Sequence, residues 1–208
     1  MTRASGLYAV ILAAGESTRM GTDKALLPWP PVAPGSPPTG QTFLSAAIQA
    51  LSPFSEKVIV VAGKNEVAVA PVVYANGASL VSNPDPDRGQ FSSLQVGLQQ
   101  VLNDGRDAAM VTLVDRPPVN ADTLKALCSL FTEAASGIWA VVPEYNGKHG
   151  HPFLVAREMI EAFLKAPSIA NARDIEHQNV RHVAYVAVDD PLVTLNVDTP
   201  EEYAALSR

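Results

Sequence analysis

The chain alternates short, nearly uninterrupted apolar runs with longer stretches of helical periodicity, and this alternation constrains its fold more than any other feature. It is typical of βα units around a mostly parallel sheet whose strands are covered on both faces. The predicted strands are Leu7–Leu12, Lys57–Ala62, Ser79–Ser82, Ala108–Val114, Ile138–Pro143, Pro152–Val155 and Val180–Val188. The predicted helices are Thr42–Leu51, Phe91–Leu102, Ala121–Ala135, Arg157–Lys165, Asn171–Gln178 and Pro200–Leu206. Thr199 and Glu202 have the spacing of a capping box, which predicts where the last helix begins.

Length and composition favour one folded unit. With 208 residues, of which 47% are hydrophobic, the chain can bury one sizeable core. We therefore expect a single domain over residues 1–208. A cluster of prolines between Leu27 and Gln41 predicts an exposed, proline-rich loop at 28–41. The roughly 25 residues before it are too few for a core of their own, so a linker between domains is the weaker interpretation.

Composition argues against several classes of partner and indicates the compartment. A formal net charge of −6 argues against a broad basic surface for nucleic acid. Apolar runs such as Ala108–Val114 fall far short of the roughly 20 residues that span a membrane. The N-terminal segment has no signal-peptide pattern and a lone Cys128 can form no internal disulfide, so we expect a cytoplasmic protein. Cys128 shares an apolar helical stripe with Leu124 and Phe131, which predicts packing rather than nucleophilic chemistry.

The segment Leu12–Lys24 follows the first predicted strand and combines small residues with two cations, Arg19 and Lys24. Glycine in such a turn lets the backbone approach a ligand, and free N–H groups there can bind phosphate oxygens. The spacing of Gly15 and Gly21 matches neither a Walker A motif nor a GxGxxG fingerprint. From these residues alone, an anion-binding turn and an ordinary flexible turn are both open.

The same segment, written Leu12-Ala-Ala-Gly-x-Ser-x-Arg-Met-Gly-x-x-Lys24, resembles the signature of the nucleotidylyltransferases of molybdenum cofactor biosynthesis, both cytidylyltransferase-like and guanylyltransferase-like. They belong to a wider superfamily that also activates sugar phosphates and methylerythritol phosphate. The resemblance implies a three-layer, doubly wound α/β fold of Rossmann-like type. It also implies that the turn holds the base and ribose while two catalytic cations contact the triphosphate. The turn residues so implicated are Leu12, Ala13, Ala14 and Gly15, and the cations are Arg19 and Lys24.

A second motif, Asn83-Pro followed by Ser92-Ser93-Leu, is similar to another nucleotide-binding segment of the family. Ser92 and Ser93 fall at the start of a predicted helix, where hydroxyl and N–H groups can bind an anion. Taken alone, the same residues are equally consistent with ordinary helix capping. The resemblance implies that Asn83, Ser92 and Ser93 contribute to the nucleotide site.

Two acidic motifs are similar to metal-binding positions of the family. Asp115, in Asp115-Arg116-Pro, follows a predicted central strand, where open α/β sheets build their sites. Asp198 lies in Asn196-Val-Asp198-Thr-Pro-Glu, just before the last predicted helix. The resemblance implies Mg²⁺, with Mn²⁺ as a substitute, on Asp115 and Asp198, and a nucleotide contact for Asp115. Two residues depart from the family: Arg116 stands where it commonly has Gln or Met, and Asn196 stands where it has Asp.

The segment Gly150-His151-Pro152 is similar to the acceptor region of the family. The resemblance implies that Gly150, His151 and Pro152, together with Arg116, contact the acceptor. His151 could instead make a structural hydrogen bond, since a lone histidine before proline is a weak indication of function. The other histidines have no spacing that indicates a metal cluster.

These motifs predict a Mg²⁺-dependent nucleotidylyltransferase that moves a nucleoside monophosphate onto a phosphorylated acceptor such as molybdopterin and releases pyrophosphate. Ala14 resembles the cytidine-using branch, so CTP is expected ahead of GTP. A molybdoenzyme or its chaperone would then be the protein partner, with no nucleic acid or membrane involved. Three alternatives stay open: a sugar-phosphate or methylerythritol-phosphate transferase, a non-catalytic nucleotide-binding module, and a dinucleotide-dependent oxidoreductase, which the missing GxGxxG loop disfavours.

Overall fold

The computed structural model describes residues 6–15, 17, 20–31, 40–167 and 169–206. Its strands are β1 (Tyr8–Leu12), β2 (Lys57–Ala62), β3 (Ser79–Ser82), β4 (Ala108–Leu113), β5 (Ala140–Tyr145), β6 (Lys148–His149), β7 (Phe153–Ala156) and β8 (Val183–Ala187). Its helices are α1 (Phe43–Leu51), α2 (Glu66–Ala75), α3 (Gln90–Asn103), α4 (Ala121–Glu133), α5 (Arg157–Lys165), α6 (Ala172–Gln178) and α7 (Pro200–Ala205). No helix within the described ranges is both long and apolar enough to cross a membrane.

The strands form one eight-stranded sheet in the order β3-β2-β1-β4-β7-β5-β6, with β8 also paired to β5. β1 is parallel to both of its neighbours, so Ala9 is in register with Val58 of β2 and Met110 of β4. β7 is antiparallel to β4 and β5, β6 is antiparallel to β5, and the other pairs are parallel. The predicted α/β class with a mostly parallel sheet is confirmed. The carboxyl ends of β1, β2 and β4 therefore meet at one edge of the sheet.

Helices cover both faces of the sheet, as the three-layer, doubly wound fold requires. Alternate residues of β1 point to opposite faces. Ala9 and Ile11 belong to a core cluster shared with α1, α2 and α4, whereas Val10 and Leu12 belong to a second cluster shared with α3, α5 and α6. All five residues of β1 are buried, which explains its continuous apolar sequence.

Helix α2 lies in a segment for which the sequence patterns predict no element. Pro71 lies inside it and its apolar residues are spread around the helix, so it lacks the periodicity of an amphipathic helix. Val69 and Val73 are nevertheless fully buried against the sheet. Their burial outweighs the weak local propensity, and this is a tertiary effect that a sequence window does not contain.

The strand predicted at Ile138–Pro143 begins two residues later, at Ala140, and continues through a tight turn into β6. Asn146 and Gly147 in that turn both have positive φ, the conformation that two-residue hairpins require. The Asn-Gly pair is the local signal for this hairpin, which the strand periodicity did not reveal.

The predicted strand Val180–Val188 is wrong at its start. The three residues from Val180 form a 3₁₀ turn, and β8 begins only at Val183. The Asn179 carbonyl at the end of α6 accepts a hydrogen bond from the His182 N–H at 2.8 Å, which turns the chain before the strand. Val180 is half-exposed, so its apolar side chain does not belong to the sheet.

The base of the predicted proline-rich loop is packed onto α1 and α7. The Trp29 ring meets Phe43 edge-on, with 4.8 Å between the ring centroids. The Tyr203 hydroxyl donates to the Pro28 carbonyl at 2.7 Å. The interior of the loop, residues 32–39, lies outside the described residues, so its exposure stays a prediction.

The side chain of Cys128 packs against the core on one face of the sheet. Burial raises the pKa of its thiol to about 11. Since the thiolate is the nucleophilic form, such a thiol is a poor nucleophile at neutral pH. This agrees with the packing role predicted for Cys128.

Candidate active site

Three charged side chains meet at the carboxyl ends of β1 and β4. The Lys24 ammonium donates to Asp198 Oδ1 at 2.6 Å and to Asp115 Oδ2 at 3.4 Å. Asp115 follows β4, and Lys24 begins a 3₁₀ turn in the connection between β1 and α1. The fold thus brings the predicted catalytic lysine together with both predicted metal ligands, although Asp198 is 174 positions from Lys24 in the chain.

Main-chain hydrogen bonds hold the two acidic segments beside β1. The Val114 N–H donates to the Leu12 carbonyl at 3.0 Å, which continues the pairing of β1 and β4 beyond the strand ends. The Val197 N–H donates to the Asp115 carbonyl at 3.0 Å, so the segment that carries Asp198 runs alongside Asp115. The positions of both carboxylates therefore follow from the central strands.

The start of α7 fixes the segment before it. The predicted capping box is confirmed: Thr199 Oγ1 accepts from the Glu202 N–H at 3.3 Å, and Glu202 Oε2 accepts from the Thr199 N–H at 3.1 Å. The same Glu202 oxygen accepts from the Asp198 N–H at 2.6 Å. The cap therefore positions Asp198 as well as starting the helix.

Burial and charge oppose each other at Asp115. Burial raises the pKa of the Asp115 carboxyl, whereas the charges of Lys24 and then Arg116 lower it. Burial also lowers the pKa of the Arg116 guanidinium, and Asp115 and Asp198 oppose that effect. An arginine nevertheless keeps its proton at neutral pH. The cluster therefore combines cations and anions in a partly buried environment, where charges interact more strongly than in water.

Two oxygen atoms of the cluster fit a hard divalent cation. Asp115 Oδ1 and Asn196 Oδ1 are buried and have no hydrogen-bond partner among the described residues. The Asn196 amide nitrogen donates to Asp198 Oδ2, which ties Asn196 to the carboxylates. Mg²⁺ and Mn²⁺ take such oxygen ligands. The described part of the chain contains no group of three or more His, Cys, Asp or Glu side chains suited to a metal.

A cleft of about 470 Å³ lies beside the cluster, and we name it the turn cleft. One wall is the turn after β1, and the other is the start of α3, where Gly89 and Gln90 lie. No described side chain caps that helix, and uncapped N–H groups at a helix start favour an anion. The predicted nucleotide-binding residues that line the turn cleft are Leu12, Ala14, Gly15, Lys24, Ser93 and Asp115, and Asp198 lines it with them.

Ala13 lies behind the wall of the turn cleft rather than in its lining. Its N–H donates to the Val61 carbonyl at 2.8 Å, and its carbonyl accepts from the Asn65 amide at 2.9 Å. Ala13 thus joins the turn to β2 and to α2. The predicted catalytic residue Arg19 lies outside the described residues, so its role stays a prediction.

Asn83, Ser92 and Ser93 form a buried hydrogen-bonded group at the start of α3. The Asn83 amide nitrogen donates to Ser92 Oγ at 2.9 Å and to Ser93 Oγ at 3.0 Å. Its amide oxygen accepts from the Asp85 N–H at 3.0 Å, and Asn83 itself is only 4% exposed. Asn83 therefore supports the wall of the turn cleft through Ser93, which lines it, and holds Ser92 beside it. Direct contact of these three residues with a nucleotide stays a prediction.

A second cavity, of about 1170 Å³, adjoins the turn cleft, and we name it the large cavity. Leu12 and Gly89 line both spaces. Arg116, Gly150 and His151 line the large cavity. The structure therefore brings together three of the four predicted acceptor-binding residues, next to the predicted nucleotide site.

Close contact between backbone segments fixes the turn before β7. The Gly150 N–H donates to the Pro143 carbonyl at 2.9 Å, and the His151 N–H donates to the Val193 carbonyl at 2.8 Å. A Cβ atom at Gly150 would lie 2.2 Å from the Val193 carbonyl oxygen, so only glycine fits there. Pro152, the fourth predicted acceptor residue, is buried and does not line the large cavity.

The 3₁₀ turn Pro191–Thr194, which contacts this segment, is anchored from two sides. Arg116 Nη1 donates to the Val193 carbonyl at 3.3 Å. On the other side, the buried carboxylate of Asp190 accepts from the Thr123 hydroxyl at 2.9 Å. Arg116 therefore links the segment after β4, which carries Asp115, to the 3₁₀ turn that contacts Gly150 and His151.

His151 and Arg116 each have an unpaired polar atom at the large cavity. His151 Nδ1 and Arg116 Nε are buried without a hydrogen-bond partner in the part of the chain that the structure describes. Burial lowers the pKa of His151 to about 3, and the charge of Arg116 contributes to this. His151 is therefore neutral at neutral pH. Unpaired buried polar atoms are costly, so a polar ligand group that reached either atom would offset that cost.

Several ionisable residues at the large cavity are not among the site residues that the sequence motifs predict. They come from the turn before α3, from β6 and from α6, and they are Arg88, Lys148, His149, Arg173, Asp174, Glu176 and His177. The sequence predicted helix α6. Its periodicity does not, however, predict that its charged residues line the large cavity. The excess of basic residues in these separate segments becomes visible only once the fold places them around one space.

The sequence profile of the MobA-like NTP transferase domain matches residues 9–183 of the chain. The chain belongs to this family. It is 27% identical to the molybdenum cofactor cytidylyltransferase of Escherichia coli strain K12, over 96% of this chain and 94% of that protein. It is also 28% identical to the purine catabolism protein PucB of Bacillus subtilis strain 168, over 99% of this chain and 98% of that protein.

Solved structures show the same fold. The crystal structure of Rv0371c from Mycobacterium tuberculosis H37Rv gives a TM-score of 0.80 at 26% identity, over 98% of each chain. Rv0371c in complex with manganese gives a TM-score of 0.76 at 25% identity, over 97% of this chain and 98% of that one. The family resemblance predicted from the first turn is confirmed, and the chain is a nucleotidyltransferase.

Proposed function

We propose that this nucleotidyltransferase moves CMP from CTP onto a phosphorylated acceptor such as molybdopterin, with Mg²⁺ bound and pyrophosphate released. The observation that carries the proposal is the cluster of Lys24, Asp115 and Asp198 beside two adjoining clefts. Nucleotidyl transfer needs an α-phosphate placed between a leaving pyrophosphate and an acceptor oxygen. Two contiguous spaces with charged groups next to their junction suit that requirement.

The turn after β1 and the start of α3 are proposed to hold the nucleotide from two sides. Lys24 supplies a cation to the triphosphate, and its contacts with Asp115 and Asp198 support this because all three residues line the turn cleft. Arg19 would supply a second cation from the same turn. Positive charge held in place in this way stabilises the charge that develops on the leaving pyrophosphate.

Asp115, Asp198 and Asn196 are the residues proposed to hold Mg²⁺. The unpaired oxygens Asp115 Oδ1 and Asn196 Oδ1 support this assignment. When bound there, Mg²⁺ would polarise the α-phosphate and offset its negative charge. The manganese complex of Rv0371c supports a divalent cation in a related protein, and we expect Mn²⁺ to substitute.

No general base is needed for this reaction, because an acceptor phosphate is already an anion at neutral pH. Its oxygen forms a bond to the α-phosphorus as the bond to the β-phosphate oxygen breaks. Arg116 would offer charge to the acceptor, and neutral His151 would offer a ring nitrogen for a hydrogen bond. The basic residues around the large cavity also suit an anionic acceptor.

A pyrophosphate-release screen tests the proposal. It crosses the common nucleoside triphosphates with molybdopterin, sugar-phosphate and methylerythritol-phosphate acceptors, each with Mg²⁺, with Mn²⁺ and with a chelator. We expect release with molybdopterin, with CTP preferred over GTP because of Ala14, and no release with the chelator. Preference for GTP overturns the choice of base, and release with another acceptor alone overturns the choice of acceptor. Nucleotide binding without release for any acceptor favours a non-catalytic binding module.

A further inference from the structure

Asn65 is a residue outside every motif whose side chain joins three parts of the nucleotide side of the site. It precedes α2, yet its side chain makes no capping hydrogen bond to that helix. Its amide nitrogen instead donates to the Ala13 carbonyl at 2.9 Å and to Asp23 Oδ2 at 2.7 Å. Its amide oxygen accepts from the Gly63 N–H at 3.1 Å. Both amide hydrogens are therefore used in connecting β1, β2 and the turn that carries Lys24.

Asp23 passes this connection on to Lys24. While Asp23 Oδ2 accepts from Asn65, its other oxygen accepts from the Ala25 N–H at 3.0 Å and caps the 3₁₀ turn that begins at Lys24. Asn65 thus holds Asp23, and Asp23 holds the backbone from which the lysine side chain extends. On the other side, the Ala13 carbonyl held by Asn65 directly precedes Ala14, which lines the turn cleft.

We propose that Asn65 is a positioning residue for nucleotidyl transfer. It sets the distance between the Lys24 ammonium and the first residues after β1, Ala13 and Ala14, beside which the nucleotide binds. The inference rests on the proposed function of Lys24. It adds that Asn65 and Asp23 hold the turn that carries this lysine. A lysine side chain is long and flexible, so a fixed backbone at its root limits where its charge can go. Without that restraint, the cation would still be present but less often aligned with the triphosphate.

An exchange of side chains between positions 65 and 23 tests the proposal. Asn65→Asp has nearly the same shape and can still accept from the Gly63 N–H, but it places a carboxylate against Asp23 and against the Ala13 carbonyl. When Asp23→Asn is added, the new amide at position 23 can donate to the new carboxylate at position 65, so the hydrogen bond returns with donor and acceptor exchanged. The amide oxygen at position 23 can still accept from the Ala25 N–H and cap the turn. The bond to Ala13 stays lost, so rescue is expected to be partial. Asp23→Asn alone completes a double-mutant cycle.

We expect Asn65→Asp to lower kcat/KM for the nucleoside triphosphate on the order of 10- to 100-fold, because small displacements of a charge stabiliser have effects of this size. The KM for the acceptor should be unchanged. The double variant should recover roughly threefold or more over Asn65→Asp alone, which corresponds to the lower range of coupling between residues in contact. Amide hydrogen exchange in peptides that cover 20–31 should be fastest in Asn65→Asp, slower in the double variant and slowest in the wild type.

Asn76→Asp is the matched control, because it makes the same chemical change at the other end of α2. The Asn76 side chain also has two hydrogen bonds, to the Val72 carbonyl and to Gln49, but it lies outside the site. Equal effects of Asn76→Asp and Asn65→Asp on the triphosphate kinetics would reduce the role of Asn65 to general stability and overturn the proposal. Unchanged triphosphate kinetics in Asn65→Asp, or a cycle with no coupling, would also overturn it.

Failure of the proposed function gives a different result. If the wild-type chain binds CTP but releases no pyrophosphate with any acceptor, the proposed reaction is wrong. The Asn65 cycle is then read from the Kd of CTP and from hydrogen exchange, and coupling in both still supports the positioning role. A wild-type chain that binds no nucleoside triphosphate overturns both proposals.

Discussion

The two sides of the candidate site are built in different ways. On the proposed nucleotide side, charged side chains from three segments meet directly: Lys24 from the connection after β1, Asp115 from the end of β4 and Asp198 from the segment before α7. On the proposed acceptor side, close backbone contacts, such as those of Gly150 and His151 with the turn at Val193, fix one part of the wall. The nucleotide side should therefore be most sensitive to loss of charge. The acceptor side should be most sensitive to changes of shape.

The difference follows from sheet topology. Parallel strands end at the same edge, so the segments that follow β1 and β4 start close together before other contacts position their side chains. The acceptor side adds the antiparallel strand β7 and the hairpin of β5 and β6, whose position depends on how closely the chain can approach the 3₁₀ turn beside it. Separate kinetic constants for the triphosphate and for the acceptor can test this division.

The largest expected effect is loss of charge on the nucleotide side. Lys24→Ala or Asp115→Ala should each lower turnover by about 100-fold or more, as removal of a preorganised charge stabiliser does. Steady-state pyrophosphate release measures the turnover of each variant. Asp122→Ala, the same change as Asp115→Ala but at an exposed residue of α4, should leave turnover at the wild-type level. Near-wild-type turnover in both site variants would remove the cluster from the mechanism.

Gly150→Ala should affect the acceptor side by shape alone. The new Cβ would lie 2.2 Å from the Val193 carbonyl oxygen, so the wall of the large cavity must move. We expect the free energy of unfolding to fall by about 1–3 kcal/mol, as in other overpacked sites, and the acceptor KM to rise by about tenfold or more.

Denaturant unfolding and acceptor kinetics measure the effects of Gly150→Ala. Gly137→Ala is its control, because no described atom lies within 4 Å of a Cβ placed there. An equal rise in the KM for the triphosphate would show that the two sides are not separable.

Arg116→Gln should have a smaller effect that is also confined to the acceptor. It removes the Nη1 hydrogen bonds to the Val193 and Leu195 carbonyls, which lie at 3.3 and 3.4 Å. A loss of about 1 kcal/mol corresponds to a roughly fivefold rise in acceptor KM. Arg157→Gln, at an exposed residue of α5, should change neither KM. If only the triphosphate KM rises in Arg116→Gln, this residue belongs to the nucleotide side.

The smallest expected effect is the pH dependence of stability that His151 contributes. Its pKa is about 3 in the folded chain and near 6.5 when exposed, so the unfolded chain binds the additional proton between these values. The contribution of His151 to stability is therefore fully present above pH 6.5 and decreases as the pH falls toward 3. Urea unfolding across this window should show a shallower pH dependence in His151→Gln than in the wild type. His177→Gln, at an exposed position, should retain the wild-type slope, and equal slopes in all three proteins would contradict the lowered pKa of His151.

Elements with a strong local pattern could be predicted closely from the sequence. The strands Lys57–Ala62 and Ser79–Ser82 and the helix Arg157–Lys165 have the predicted bounds, because each combines a clear periodicity with clear ends. Helix α2 could not be predicted, since burial of Val69 and Val73 rather than local propensity stabilises it. Asn65 was missed with it, because its contacts with Ala13 and Asp23 exist only once α2 is in place.

The sequence by itself determined the α/β class and the family, because strand periodicity and contiguous motifs are local properties, and it predicted which residues would hold a nucleotide. It also indicated Asp115 and Asp198 as a pair through resemblance. Only the tertiary structure decided that Lys24 lies between them, that Asn65 holds the turn below it, and that Gly150 has room for no side chain. These are distances between segments far apart in the chain, and they depend on how helices and strands pack rather than on the order of residues within any one of them.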